Sequence, residues 1–183
     1  MEVMDILYQT FTEEKEREDN IIYVTDLCRC PLKAEFERRY PIIKVKILPQ
    51  FVVGSLIHAG LQQLLEKHGF RIEVEGCKQI ENYEIHGRID AIKGETGVEI
   101  KFSRSDQGIP YEHHKLQCAI YNWLFGLRKT ILVYITPDRV AEYKITNIPD
   151  DYTIKKLIEW KEYPRYHWEC KYCEYSIICP YKK

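Results

Sequence analysis

The stretch from Gly87 to Phe102 constrains the fold of this chain more than any other. Gly87-Arg88-Ile89-Asp90 ends one β-like run, and Val98-Glu99-Ile100-Lys101-Phe102 forms the next. Between them, Lys93-Gly94-Glu95-Thr96-Gly97 has the composition of a hairpin turn. Side chains of a strand alternate faces, so Glu99 and Lys101 point the same way. Closing the hairpin brings Asp90 back beside Glu99, and two carboxylates and an ammonium then share one small site. Carboxylate oxygens are hard ligands suited to Mg²⁺ or Mn²⁺, and a neighbouring lysine can hold a water or a phosphate oxygen. Such a set of groups is suited to phosphodiester hydrolysis. A lone acid, then an acid and lysine two apart, also arises by chance on a solvated strand face, so the rest of the chain must decide.

The chain has 183 residues, 45% of them hydrophobic and 30% charged, which suits one globular domain with a proper core. No apolar run approaches the roughly 20 residues of a membrane helix. Met1-Glu2-Val3-Met4-Asp5 lacks the basic region and apolar core of a secretory signal, so a cytoplasmic location is expected, without a membrane, where thiols stay reduced. The net charge of −1 argues against a passive nucleic-acid coat protein. Contact with nucleic acid then has to come from local patches. Arg29, Lys33, Arg38, Arg39, Lys44 and Lys46, with Tyr23 and Tyr40 nearby and Lys182-Lys183 at the end, supply charge and rings that can track a single strand.

Periodicity predicts a helix over 4–18, with a charged face from Glu13 to Glu18. Thr25 is the expected cap of a short helix, and Pro31 suits the first turn of another that runs to Arg39 before Pro41. Val53–His68 reads as an amphipathic helix with Val53, Leu56, Ile57, Leu61, Leu64 and Leu65 in its stripe, His58 at the stripe's edge and Gly69 as its stop. Strands are expected at 71–77, 83–92 and 97–102. Pro110 and Gly126 bracket a helix whose buried stripe is Leu116, Ala119, Ile120, Trp123 and Leu124, with Gln117 and Tyr121 on a neighbouring face. Strands over 130–135 and 140–145 and a helix over 151–162 follow. There is no internal repeat, and no G-x4-G-K-[ST] helicase motif.

Seven cysteines are many for a chain of this length in a reducing compartment, and Cys170, Cys173 and Cys179 lie within the last fourteen residues. Cys170-x2-Cys173 is a compact clamp, and Cys179 adds a third thiolate. Cys30, followed by Pro31, is the best fourth ligand, with Cys28 as the alternative. Zinc accepts four thiolates, or three with His167, and an iron–sulfur cluster also takes four, so spacing alone does not separate the two. Either would staple the two ends of the chain together.

These pieces, in this order, resemble the RecB-type nucleases of the PD-(D/E)xK superfamily, and within it the CRISPR-associated exonucleases that carry an iron–sulfur cluster. The match rests on Cys30 in C-P-L-K, His58 in G-S-L-I-H-A-G, Asp90 in G-R-I-D, Glu99 and Lys101 in V-E-I-K-F-S, Gln117 and Tyr121 in Q-C-A-I-Y, and Cys170, Cys173 and Cys179. The resemblance implies an α/β fold, a mixed sheet flanked by helices, in a single domain over 1–183. Its core would span about 51–150, with an iron–sulfur module built from about 23–40 and 163–183. It implies that His58, Asp90, Glu99 and the Ile100 carbonyl bind Mg²⁺ or Mn²⁺, and that Lys101 positions the attacking water. Gln117 and Tyr121 would hold Lys101 and the DNA, and Cys30, Cys170, Cys173 and Cys179 would hold a [4Fe–4S] cluster. Implied partners are DNA ends, single strands above all, and the CRISPR integrase proteins in spacer acquisition. A RecB-type repair nuclease outside CRISPR, or a non-catalytic iron–sulfur scaffold for DNA ends, are the competing functions.

Overall fold

The computed structural model describes residues 2–11, 21–40 and 49–183. Helix α1 (Val3–Phe11) matches the first part of the expected helix, whose charged run lies outside the described residues, as do Pro41, Lys44 and Lys46. A short strand β1 (Ile21–Tyr23), which the sequence reading lacks, leads into α2 (Val24–Leu27). Tyr23 is the residue before that helix, so Thr25 lies inside the helix and does not cap it. Helix α3 (Pro31–Arg39) begins on Pro31 as expected, because proline's missing N–H would be unpaired at that position anyway.

Helix α4 (Pro49–Lys67) starts four residues earlier than the periodicity indicates, and Gly69 follows with φ +82°. Strands β2 (Arg71–Ile80), β3 (Tyr83–Lys93) and β4 (Thr96–Phe102) then form a meander. Helix α5 (Glu112–Phe125) starts after Pro110, with Tyr111 preceding its first turn, and ends on Gly126, whose φ of +64° suits a residue without Cβ. Strands β5 (Lys129–Ile135) and β6 (Val140–Ile145) follow. Helix α6 (Asp151–Ile158) is four residues shorter than expected and is capped by the Asp150 carboxylate, which accepts from the Thr153 N–H at 2.8 Å. Two 3-10 turns, Glu169–Tyr172 and Glu174–Ile177, carry the tail.

The mixed sheet runs β1-β3-β4-β5-β6, with β2 on the other edge of β3. Its two faces bury different helices. Ala91, Val98, Ile100 and Val133 pack against Ile57, Leu61 and Leu65 of α4. Ile85, Ile89 and Ile92 pack against Val24 and Leu27 of α2, Ile120 and Trp123 of α5 and Ile154 of α6. Each fully buried isoleucine contributes roughly 1.5–3 kcal/mol of transfer free energy. Half of the expected α4 stripe is instead exposed: Val53, Leu56 and Leu64 are 41%, 61% and 55% accessible. Helix α5 is buried beyond its expected stripe, with Gln117, Cys118, Tyr121 and Asn122 inside as well.

Two irregularities create the cleft. First, β1 and β4 share one edge of β3 but not the same part of it. β1 pairs with Glu84–His86 and β4 with Ala91–Lys93, so that edge from Gly87 to Asp90 has no strand partner among the described residues. Second, the alternation of faces breaks at the Glu73–Asp90 position. Val74 lies opposite Ile89, and both pack on the α5 face, while Ile72 lies opposite Ala91, and both pack on the α4 face. Residues two apart should share a face. Glu73, with φ +49°, is the left-handed residue at which the ladder turns over.

Candidate active site

Asp90 sits at that turnover, between the α4 face and the edge of β4. Its Oδ1 lies 3.2 Å from His58 Nδ1 on α4, and its Oδ2 accepts the Ile100 N–H of β4 at 2.6 Å. Where β4 leaves β3, the carboxylate takes up a backbone donor that no strand meets. Glu99 and Lys101 share a face as alternation requires, and Lys101 Nζ lies 2.7 Å from Glu99 Oε1. The structure therefore brings His58, Asp90, Glu99 and Lys101 together from α4, β3 and β4.

Asp90 and Glu99 open onto a cleft of about 410 Å³ whose lining also includes Tyr23, Gly87, Gln117 and Tyr121, while His58 and Lys101 reach them from beside it. Gly87 lets the helices close over it: a Cβ there would lie 2.7 Å from Leu124 and 2.9 Å from Val24. Tyr121 donates to the Arg88 carbonyl on the unpaired stretch of β3 at 2.8 Å, and Gln117 donates to the Tyr121 hydroxyl at 3.0 Å. Among the described residues, these hydrogen bonds run to each other and to β3. They fix the strand that carries Asp90.

Glu99 is 3% exposed, and its Oε2 has no hydrogen-bond partner among the described residues. Burial pushes its carboxyl up to about 7, against the pull of Lys101 and with help from the Asp90 charge. Burial works against the Lys101 ammonium too, but the charge and hydrogen bond of Glu99 outweigh it and hold its pKa above the ordinary value. His58 follows the same pattern: burial opposes its charge, and the Asp90 bond and charge lift it. An unpartnered buried carboxylate oxygen beside a second carboxylate and an imidazole fits a hard divalent cation, which would supply the missing positive partner. The three ligand atoms are not drawn into one compact group, since Glu99 Oε1 is held by Lys101. Among the described residues, the trio with ligand atoms within 4.8 Å of one another is Cys77, Glu84 and His86.

Sequence reading missed a second layer. Gln62 donates to Glu73 Oε1 and lies 3.5 Å from Asp90 Oδ1, and Arg88 Nε pairs with Glu73 Oε2 at 2.8 Å. Gln62 is one turn beyond His58 on the same helix face, a spacing that could have found it. Nothing in the sequence marks Glu73, because its left-handed backbone is not a glycine signal.

The cysteines converge as expected from their spacing. Cys30, Cys170, Cys173 and Cys179 line one cavity of about 240 Å³, walled by Phe36, Pro164 and Trp168. Cys28 is elsewhere: it is 5% exposed in the core beside Leu27 and Ile120, and burial pushes its thiol up to about 12. His167 lines the neighbouring groove and not the cysteine cavity. Burial also raises the Cys30 and Cys173 thiols, a bias that a bound cation reverses. The tail is tied down by other contacts as well. The buried Glu169 carboxylate accepts the Cys30 N–H at 2.6 Å and the Tyr166 N–H at 2.8 Å, and Arg165 Nε donates to the Arg29 carbonyl at 3.1 Å.

The basic N-terminal third is less open than its composition suggests. Arg29 pairs with Asp26 at 2.7 Å and Glu37 at 2.6 Å, and Lys33 pairs with Glu174 at 2.9 Å. Arg29 is thus held in ion pairs within the fold. No described helix is long and apolar enough to cross a membrane.

No family model matches the chain. It is 44% identical over 182 residues to the CRISPR-associated exonuclease Cas4 of Saccharolobus solfataricus, covering 91% of this chain and 90% of that one. The crystal structure of SSO0001 superposes with a TM-score of 0.92 at 40% identity, covering 100% of this chain and 98% of its own. An alkaline exonuclease (LHK-Exo) from Laribacter hongkongensis shares the fold, with a TM-score of 0.54 at 13% identity over 85% of this chain and 87% of its own. With that identity sustained along nearly the whole of both sequences, the chain is a nuclease and belongs to the family of the CRISPR-associated exonuclease Cas4.

Proposed function

We propose that this chain hydrolyses phosphodiester bonds at DNA ends, single strands preferred, using Mg²⁺ or Mn²⁺, and that it trims DNA for CRISPR spacer acquisition alongside the integrase proteins. The observation that carries the catalytic part is the buried, unpartnered Oε2 of Glu99 beside the His58–Asp90 pair. His58, Asp90, Glu99 and the Ile100 carbonyl would hold the cation. When bound, it supplies a Lewis acid and lowers the pKa of a coordinated water. Lys101, an ammonium across neutral pH, holds charge beside the reacting phosphate and orients the attacking water. Gln117 and Tyr121 position β3, and through it Asp90.

Cys30, Cys170, Cys173 and Cys179 are proposed to hold a [4Fe–4S] cluster in a module made of about 23–40 and 163–183. Four thiolates around one cavity, with Cys30 followed directly by Pro31, support that reading.

The test is cleavage of end-labelled single-stranded and duplex DNA with and without added Mn²⁺ or Mg²⁺. Asp90→Ala and Lys101→Ala should each abolish metal-dependent cutting, and only the first should weaken Mn²⁺ binding. Full activity in Asp90→Ala overturns the site.

A further inference from the structure

Beside the cysteine cavity runs a wider groove of about 720 Å³. One wall is the start of α5, where the Tyr111 and His113 rings stack at 5.7 Å and 8°. The other is the 165–172 segment, where Tyr166 and Trp168 stack at 5.9 Å and 14°. The walls meet where His113 lies 5.1 Å from Trp168. Two of the rings on this groove face outward, Trp168 at 47% and Tyr172 at 65% exposure. Aromatic faces left open to water side by side suit an occupant with flat faces of its own.

We infer that this groove is a stacking site for the unpaired bases of a single DNA strand whose backbone passes the Asp90–Glu99–Lys101 cleft. The inference rests on the nuclease reading and adds a substrate subsite to it. Continuity along α5 is the first argument. His113, Gln117 and Tyr121 fall at successive fourth positions on one helix face, and Gln117 and Tyr121 line the catalytic cleft while His113 lines the groove. Adjacent turns are about 6 Å apart along the axis, so the two sites adjoin. The second argument is charge. Burial, then the nearby Lys101 ammonium, pushes His113 down to about 4, so it presents a neutral ring at neutral pH. Stacking on neutral rings tolerates every base and needs no hydrogen-bond readout, as an end-trimming enzyme requires. A paired base keeps its faces covered by its neighbours, so the groove discriminates against duplex. The third is the cluster module. His113, Trp168 and Tyr172 line the cysteine cavity as well as the groove. Whatever the cysteines hold therefore fixes one wall of the strand's path.

The probe is a single-stranded oligodeoxynucleotide carrying 2-aminopurine near its end, titrated with the full chain, divalent metal withheld and iron content measured on each preparation. Trp168→Leu and Tyr166→Leu remove a π-face and keep bulk, and Trp168→Phe restores one. The expected result is a roughly five-fold to hundred-fold loss of single-strand affinity in the leucine variants. Fluorescence quenching should fall with it, Trp168→Phe should recover most of the binding, and iron content and duplex affinity should not change. Parent-like binding by both leucine variants overturns the subsite. So does equal weakness of the phenylalanine and leucine variants, or weakness that tracks lost iron, since both mark the rings as structural. If the parent still cuts DNA in Mn²⁺ under any of these outcomes, the nuclease reading stands alone; a parent that neither binds nor cuts overturns both.

Discussion

Replacing Glu99 by glutamine should abolish cutting and at the same time make the metal-free protein more stable. Glutamine is nearly isosteric with a protonated glutamate, so it reports what ionising Glu99 costs the fold. The folded carboxyl titrates at about 7, against 4.5 when solvated. The folded state therefore binds more protons than the unfolded state between these values, and stability falls as pH rises through that window. At about 1.4 kcal/mol per pH unit, Glu99→Gln should be more stable than the parent by about 3 kcal/mol at pH 8 and by under about 1 kcal/mol at pH 5. The Glu99–Lys101 attraction is already contained in that pKa, so losing the charge pair does not cancel the gain. Urea unfolding of both proteins at the two pH values, with divalent metal withheld, gives the difference directly. Mn²⁺ should then raise the parent's midpoint and leave the variant's unchanged, because binding the native state alone stabilises it. A variant no more stable than the parent at pH 8 would refute the view that Glu99 is a desolvated carboxylate waiting for a cation.

His58→Ala should lower cutting strongly while shifting the melting temperature little, since the side chain is 30% exposed and packs in neither core cluster; a large stability loss with normal turnover would assign it to packing. Replacing Cys30, Cys170, Cys173 or Cys179 should bleach the protein and leave it poorly soluble, whereas Cys77→Ala and Cys118→Ala should keep colour and iron. Cys28→Ala should also keep its colour at a modest stability cost, and colour lost with Cys28 alone would place the fourth ligand in the core. Single-strand affinity should fall steeply with salt as phosphate contacts release counterions; a flat response would argue against a nucleic-acid substrate.

What the sequence made legible was what local chemistry dictates. The 93–97 turn, the Asp90–Glu99 juxtaposition, proline at the start of α3 and glycine at the end of α5 each depend on a few neighbouring residues. The Cys170–Cys179 cluster and its partner Cys30 were likewise visible from spacing, and burial separates Cys30 from Cys28. Periodicity gave the apolar stripe of α4 but not how much of it the sheet covers, so Val53, Leu56 and Leu64 were expected inside. The β1 strand is too short to carry a period. The turnover at Glu73 was invisible for a deeper reason. A strict alternation puts Ile72 with Val74 and Ile89 with Ala91 on one face, and their separation goes with a backbone conformation at Glu73 that glutamate rarely adopts.

Polar contacts join the two ends of the chain, and the proposed cluster would join them a second time with a different effect. Glu169 bonds the Cys30 and Tyr166 amides, Arg165 bonds the Arg29 carbonyl, and Tyr175 donates to the Tyr40 carbonyl at 3.2 Å while its ring packs on Phe36. These contacts dock the tail on the Arg29–Cys30 link and on α3 and its end without help from the thiols. A cluster bridging Cys30 to the tail adds a covalent closure of a loop longer than a hundred residues. In the chain-entropy account of cross-links such a closure contributes about 4–5 kcal/mol, mostly by restricting the unfolded chain. The polar docking sets where the tail sits, and the proposed cluster would set how seldom it leaves. Helix α2 follows β1, whose last residue, Tyr23, lines the catalytic cleft, and Val24 packs over Gly87. Where the proposed cluster binds, its loss would free the Trp168 wall, which lines both the cysteine cavity and the aromatic groove, and through the Cys30 and Arg29 contacts would loosen the segment that follows α2.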